Sequence, residues 1–443
     1  MQNNIVKLIL ILLIGFFISA EIKAQEVRKL NLEQSIKIGL ENSKTIHSSR
    51  MNVVAAEAQM REVNTTRLPS LSFNASYTRL SKVPPFTVAV PGLGSFNISP
   101  SIFDNYSLAL SLKQPLFTGF KLLSSYDMAK YNSLAAKQTY TQDEQNLILN
   151  IKNAYWNLFK AKKIKEVIDE NVQQVKAHLT DIQNFFKQGL ATRNEVLKVE
   201  VQLSEAQLNQ IDAKNAVKLA IVNFDNVLGL PLSTEVEVQD SITVTNTDSM
   251  NDIDELISKA QDNRPELKAM LYKVKASEKG ITFAKSDWYP QIFLAGDYNY
   301  AKPNQRLLPT KNEFYGTWDV SLGLSLSLWN WGATIDKTDQ AEAQYEQAND
   351  GLKTLKDAVT LEVTQDYYNL IKASEKVTVS QETVKQAEEN YRVTDDKFKQ
   401  GMALNSELLD AETALKQART NYTQALVDYE LAKAQIEKAT GGK

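Results

Sequence analysis

The chain has 443 residues, 23% of them charged and 43% hydrophobic, with only 16 Gly and 11 Pro. That balance excludes a disordered or collagen-like chain and suits globular or long-helix material. A net charge of −3 gives no electrostatic footprint for nucleic acid, and the absence of cysteine excludes disulfides, thiol chemistry and a lipidated cysteine anchor.

Residues 1–24 read as a signal peptide. Lys7 supplies the basic start, Leu8 to Ile18 the apolar core, and Ala24 a cleavage residue before Gln25. The apolar run is short for a membrane span. Losing Lys7, Glu21 and Lys23 takes the net charge to −4. No later stretch is long and apolar enough for a transmembrane helix.

The mature chain divides into a first repeat over 25–230, a connecting segment over 231–251 and a second repeat over 252–443. In the first repeat the spacing predicts a helix over 32–67, with Ile36, Leu40, Ile46, Val53, Val54 and Ala58 at helical intervals. Pro69 stops it, and the period changes from helical to two. Leu71, Phe73, Ala75 and Tyr77 alternate with Ser and Asn, which predicts a strand over 70–80. After a loop rich in Pro and Gly, Tyr106, Leu108, Leu110 and Leu112 predict a returning strand over 105–116. Helix is expected again over 119–188 and 192–228. The third helix carries an unbroken heptad from Val196 through Val199, Leu203, Ala206 and Ala213 to Val227.

The second repeat restates this plan: helices over 254–288, 333–400 and 404–439, strands over 290–300 and 316–328. Phe186-Lys187-Gln188-Gly189 returns as Phe398-Lys399-Gln400-Gly401, an offset of 212 positions. The first helix and strand repeat at an offset of 221, so the first loop is nine residues longer. The chain is therefore one helix–hairpin–helix–helix unit written twice. The two long helices are about 70 residues each, on the order of 100 Å, and in each repeat the two shorter helices laid end to end match that length.

Four strands of about ten residues, each with one greasy and one polar face, fit a membrane barrel. Aromatic residues cluster at both ends: Trp288, Tyr289, Trp329 and Trp331 towards the helices, Tyr298, Tyr300 and Trp318 towards the loops. Two hairpins packed on a soluble core would show the same alternation. Four strands cannot close a barrel, because open edges in lipid leave backbone groups unsatisfied. At least two chains are therefore expected to share one, continued by a helical tube into the aqueous compartment.

With these features the chain resembles the TolC family of outer-membrane efflux proteins over essentially its whole mature length. The specific marks are the repeated Phe-Lys-Gln-Gly turn followed by Glu and Ala-rich heptads, and Pro115-Leu116-Phe117-Thr118-Gly119 at the strand-to-helix junction. The resemblance implies a mainly α fold with β: four strands given to a trimeric twelve-strand outer-membrane barrel, continued by an α-helical periplasmic tunnel. It implies a homotrimer in outer-membrane lipid, a periplasmic adaptor, and an inner-membrane pump of RND, ABC or MFS type.

The resemblance also assigns roles. The turns form the tunnel tip, so Lys187, Gln188, Gly189, Lys399, Gln400 and Gly401 would dock the adaptor. Glu407 and Asp410 match the acidic rings that close the tunnel, and Glu195 matches the acid after the first turn. Acids three apart share a helix face and, repeated about a three-fold axis, would ring a pore and select cations. The positions of the family's gating tyrosine and arginine are Phe398 and Ala403 here, and Arg193 offers another partner for an acid. Thr192-x-x-Glu195 equally spells a capping box, and Glu407 and Asp410 equally suit a solvated face.

His47 and His178 each stand alone on a predicted helix, without metal-ligand spacing, and suit a surface or inter-helix place. No glycine-rich phosphate loop or nucleophile–base set is present. No enzyme activity and no cofactor are expected. A secreted or surface-attached coiled-coil spacer is the rival reading, but it needs no alternating ten-residue strands with aromatic ends.

Overall fold

A computed structural model describes residues 28–83, 87–97, 102–239, 242 and 252–442. The expected signal segment 1–24 lies outside the described residues, as do 243–251 of the connecting segment. The chain forms two compact units, and each draws on both repeats. Among the described residues, one comprises those from Arg28 to His47, within Asp143–Arg264 and from Val359 to Gly442; the other comprises those within Ser48–Gln142 and Pro265–Ala358. The repeats are thus a pattern in sequence and not two separate domains.

The elements in chain order begin with β1 (Arg28–Leu30), α1 (Leu32–Asn42) and α2 (Lys44–Thr65). Strands β2 (Ser70–Arg79), β3 (Thr87–Val90), β4 (Gly94–Asn97) and β5 (Asp104–Thr118) follow. Then come α3 (Lys121–Lys187), α4 (Arg193–Leu228) and β6 (Val236–Val238). The second repeat supplies α5 (Ile253–Asn263), α6 (Pro265–Lys285), β7 (Gln291–Lys302), β8 (Tyr315–Ser325), α7 (Ala333–Lys399) and α8 (Asn405–Ala439). Helices α3 and α7 have 67 residues each.

Two expected helices are each broken in two. At Arg264 the cause is Pro265, which pushes the preceding residue into extended backbone and then serves as the first residue of α6. At Ser43 the chain is also extended, and the Ser43 hydroxyl accepts a hydrogen bond from the Ile46 N–H at 3.2 Å. This serine ends one helix and caps the next. The strand expected over 316–328 stops at Ser325, because its partner begins only at Gln291, after Pro290. The first hairpin loop carries a further two-stranded sheet, β3 with β4, turning at Pro91 and Gly92.

The unit that holds the hairpins contains a four-stranded antiparallel sheet in the order β2-β5-β7-β8. Its register puts Phe73 opposite Leu110, Leu110 opposite Tyr298, and Tyr298 opposite Trp318. The opposite face pairs Asn74 with Ala109 and Ser111 with Asp297, whose side chains hydrogen-bond. A register shift falls between Pro115 and Phe117, where proline has no N–H for the ladder. Lys337 and Lys121 both pair with Asp287, at 2.9 and 3.1 Å, and hold its carboxyl below the usual range.

The strand-to-helix junction after β5 needs glycine. Gly119 has φ +61°, and a Cβ there would lie 2.5 Å from the Ser286 carbonyl oxygen and 2.7 Å from Tyr289 Cβ.

The other unit is helical, with one small parallel pairing of β1 on β6. The heptad residues of α4 and α8 face inward: Val199, Phe224, Leu408, Leu415 and Ala439 are buried. Tyr155, Trp156, Leu158 and Phe224 centre one core, joined by Val236 from β6. A second core collects Val175, Ile182, Val196, Val199, Phe398 and Leu408. Alanine at one seam position lets the helix backbones approach closely.

Candidate functional site

The helical unit brings its two interhelical turns together. In the first, Leu190 N–H donates to the Phe185 carbonyl at 2.8 Å and Gly189 N–H to Phe186 at 3.0 Å. In the second, Met402 N–H donates to Lys397 at 2.8 Å and Gly401 N–H to Phe398 at 2.9 Å. Both are the Schellman closure, which needs a left-handed residue; Gly189 has φ +78° and Gly401 +71°. Asn405 reaches across, its amide 3.5 Å from the Glu195 carbonyl.

Lys187, Gln188, Gly189, Lys399, Gln400 and Gly401 are all exposed. Beside them Leu190, Met402 and Leu404 expose apolar side chains, a combination fit for a protein partner.

Glu195 caps its own helix. Its carboxylate accepts from the Thr192 N–H at 2.6 Å and from the Thr192 hydroxyl at 2.8 Å, and these bonds hold its carboxyl below the usual range. Arg193 lies 3.4 Å from Glu200, one helical face along, and not against the candidate acids of α8. Glu407 accepts from the Leu404 N–H at 2.8 Å, and both Glu407 and Asp410 are exposed. Phe398 is buried in the core beneath the turns.

One of the two histidines takes its inter-helix place just inside, with a partner the sequence did not indicate. His178 of α3 and Glu412 of α8 are both buried, with Nδ1 3.3 Å from Oε1 and 3.4 Å from Oε2. Phe398 sits edge-on to the imidazole at 5.0 Å between ring centres. Burial, with the carboxylates of Asp395, Glu412 and Asp181, pushes the Tyr391 hydroxyl up to about 12. The spacing of a lone histidine gave no hint of this partner, 234 positions away.

On the sheet, the aromatic residues singled out from sequence are all outward. Trp288, Tyr289, Trp329 and Trp331 are exposed near the helices, and Tyr298, Tyr300 and Trp318 along the apolar face. Phe117, Phe120 and Tyr289 meet edge to face. At the far end Phe314, which periodicity did not single out, stacks on Tyr300 at 5.1 Å and meets Tyr106 at 5.7 Å. Leu71 and Leu322 are 66% and 70% exposed, so the apolar face is not a core in the single chain. Its neighbours' edges are free as well, since β2 and β8 each pair on one side.

Comparison with known families decides what this arrangement is. The profile of the family described as Outer membrane efflux protein matches residues 36–230 and 256–442. The chain belongs to that family. It is an outer-membrane efflux or secretion channel of the TolC type, a transport protein and not an enzyme. That membership sets aside the coiled-coil spacer. The chain is 25% identical to Outer membrane protein TolC of Vibrio cholerae over 345 residues, covering 77% of this chain and 78% of the relative. It is 24% identical to Alkaline protease secretion protein AprF of Pseudomonas aeruginosa, covering 76% and 70%. Its fold matches the crystal structure of the outer membrane protein VceC of Vibrio cholerae with a TM-score of 0.79 at 17% identity, covering 93% of this chain and 96% of that one. The TolC-type channel thus keeps its fold at low identity.

Proposed function

We propose that three copies of this channel close a twelve-strand barrel in the outer membrane, with the helical units forming a tunnel into the periplasm. The exposed apolar sheet face with two unpaired edge strands carries the reading. In lipid that face is solvated, and edge-to-edge pairing between copies satisfies the free backbone groups. Apolar stripes left exposed on the helices support the same assembly: Leu197, Val201, Leu208 and Ile211 on α4, and Leu361, Tyr368 and Val379 on α7. These follow heptad intervals and suit helices of a neighbouring copy. The polar sheet face, with Ser111, Asp297, Asn299 and Asp319, lines the lumen.

In this reading residues 1–24 direct export. A periplasmic adaptor docks on the turns through Lys187, Gln188, Lys399 and Gln400 around Gly189 and Gly401, and the adaptor connects to an inner-membrane pump. Glu407 and Asp410 ring the tip, while Glu195 is a helix cap and Arg193 its neighbour. Trp288, Tyr289, Trp329 and Trp331 sit at one membrane interface and Trp318 towards the other. The pump sets the substrate, and the family's reach over efflux and protease secretion favours no single one.

Cysteine cross-linking tests the assembly cleanly, because the chain has no cysteine. Ser72→Cys on β2 with Ser321→Cys on β8, oxidised in membranes, should give a covalent ladder ending at three chains. A chain that forms no intermolecular product at any neighbouring pair along these edges would reject the shared barrel.

A further inference from the structure

The two repeats differ in what fills the space at the first helix break of the helical unit. In the second repeat Arg264, at the break between α5 and α6, is buried with its guanidinium 2.6 Å from Glu362. Lys438 lies 3.7 Å from the same carboxylate, and Asp366 stands one turn along α7. Shifted by the repeat offsets, Arg264 falls on Ser43, Glu362 on Asn150, Asp366 on Ala154 and Lys438 on Asn226. Where the second repeat packs a charged cluster, the first has a cleft of about 800 Å³.

Six asparagines line that cleft: Asn42, Asn150, Asn153, Asn157, Asn223 and Asn226. Asn42 donates to the Leu228 carbonyl and Asn157 to the Asn153 carbonyl. The carboxamides of Asn150, Asn153, Asn223 and Asn226 make no hydrogen bond within the described residues. Asparagine is a poor residue for a helix interior. Spacings of three and four turn Asn150, Asn153 and Asn157 to one face of α3, and Asn223 and Asn226 meet them from α4. Four such carboxamides, three of them exposed, are left to meet a ligand from outside. Lys44 is the one charged side chain in the lining, and Leu147, Leu230 and Leu232 add apolar wall.

Carboxamides both donate and accept, so they match hydroxyl and amide groups and do not select ions. The near absence of charge disfavours a metal or a polyanion. The size suits two or three sugar rings, and the leucines suit ring faces and methyl groups. We propose that this cleft binds a neutral, N-acetylated oligosaccharide.

Calorimetry on the full channel, in a detergent without a sugar headgroup, tests this with chitotetraose as ligand and maltotetraose as control. Saturable chitotetraose binding is expected, weakened about tenfold in the Asn153→Ala, Asn226→Ala double variant. Ser43→Arg with Asn150→Glu, which copies the second repeat's filling, should abolish it while the helical circular dichroism stays unchanged. Should those variants misfold, a fluorophore on Thr45→Cys, with every asparagine of the lining kept, reads binding directly. No binding up to about 10 mM, an affinity too weak for a built site, would overturn the proposal. So would equal affinity for maltotetraose, or oxidation of Asn226→Cys into linked copies, which would make a second chain the occupant.

Discussion

His178 Nδ1 lies 3.3 Å from the Glu412 carboxylate, and both side chains are buried between helices that the sequence separates by more than two hundred residues. The pair joins α3 to α8 directly beneath the turns, with Phe398 closing over the ring. Truncating one partner leaves the other buried and unpaired. His178→Leu and Glu412→Leu should each cost about 3–5 kcal/mol in chemical unfolding followed by circular dichroism. The double replacement His178→Leu, Glu412→Leu should cost less than either. Equal, additive losses in that cycle would mean the two groups do not interact.

Asp225 gives a pH dependence. It is buried near the C-terminal end of α4, where burial pushes its carboxyl up to about 6, against a smaller opposing effect of the Thr234 backbone. A carboxyl raised in the folded state disfavours folding when ionised. The penalty is present above about 6 and disappears as the pH falls through that value towards the unfolded value near 3.8. Asp225→Asn should therefore stabilise the channel at pH 7.5, by on the order of 2 kcal/mol, and make little difference near pH 4. A benefit of the same size at both values would assign the effect to packing.

Two glycines separate conformational strain from steric contact. Gly189 has φ +78° with open space around it, so Gly189→Ala should cost only about 1 kcal/mol. Gly119→Ala adds a collision with Ser286 and Tyr289 at the junction of sheet and helix, and should lower the folded yield far more. Comparing membrane-inserted protein for the two variants checks this; equal yields would show that the junction relaxes freely.

Much of the fold was legible because it repeats simple periods. Alternation along Leu71, Phe73 and Tyr77, and again along Trp318, Val320 and Leu322, gave both faces of the sheet. The heptads of α4 and α8 gave the buried seams. The breaks at Ser43 and Arg264 were harder, since helical spacing continues through both, although Pro265 was a visible warning. Pairing of β1 with β6 and of His178 with Glu412 depends on stretches far apart in sequence meeting, which no local period encodes. The candidate site was legible at its glycine turns. Its asparagine cleft was not, because it emerges only when three elements converge on residues that are unremarkable one by one.

The acids at the tip make separate predictions. Glu195→Ala should cost about 1 kcal/mol of stability through its lost cap and leave ion selectivity alone. Glu407→Gln with Asp410→Asn should reduce cation preference in planar-bilayer recordings. An unchanged reversal potential across a salt gradient would return both acids to an ordinary solvated face.

The central claim is that one chain is an incomplete channel. The mass of the detergent-solubilised particle, with bound detergent subtracted, tests this most directly. The account predicts three chains, each slightly below the 49.8 kDa of the full sequence once the signal segment is gone. A stable particle holding a single chain, with its apolar sheet face covered by its own residues, would contradict it.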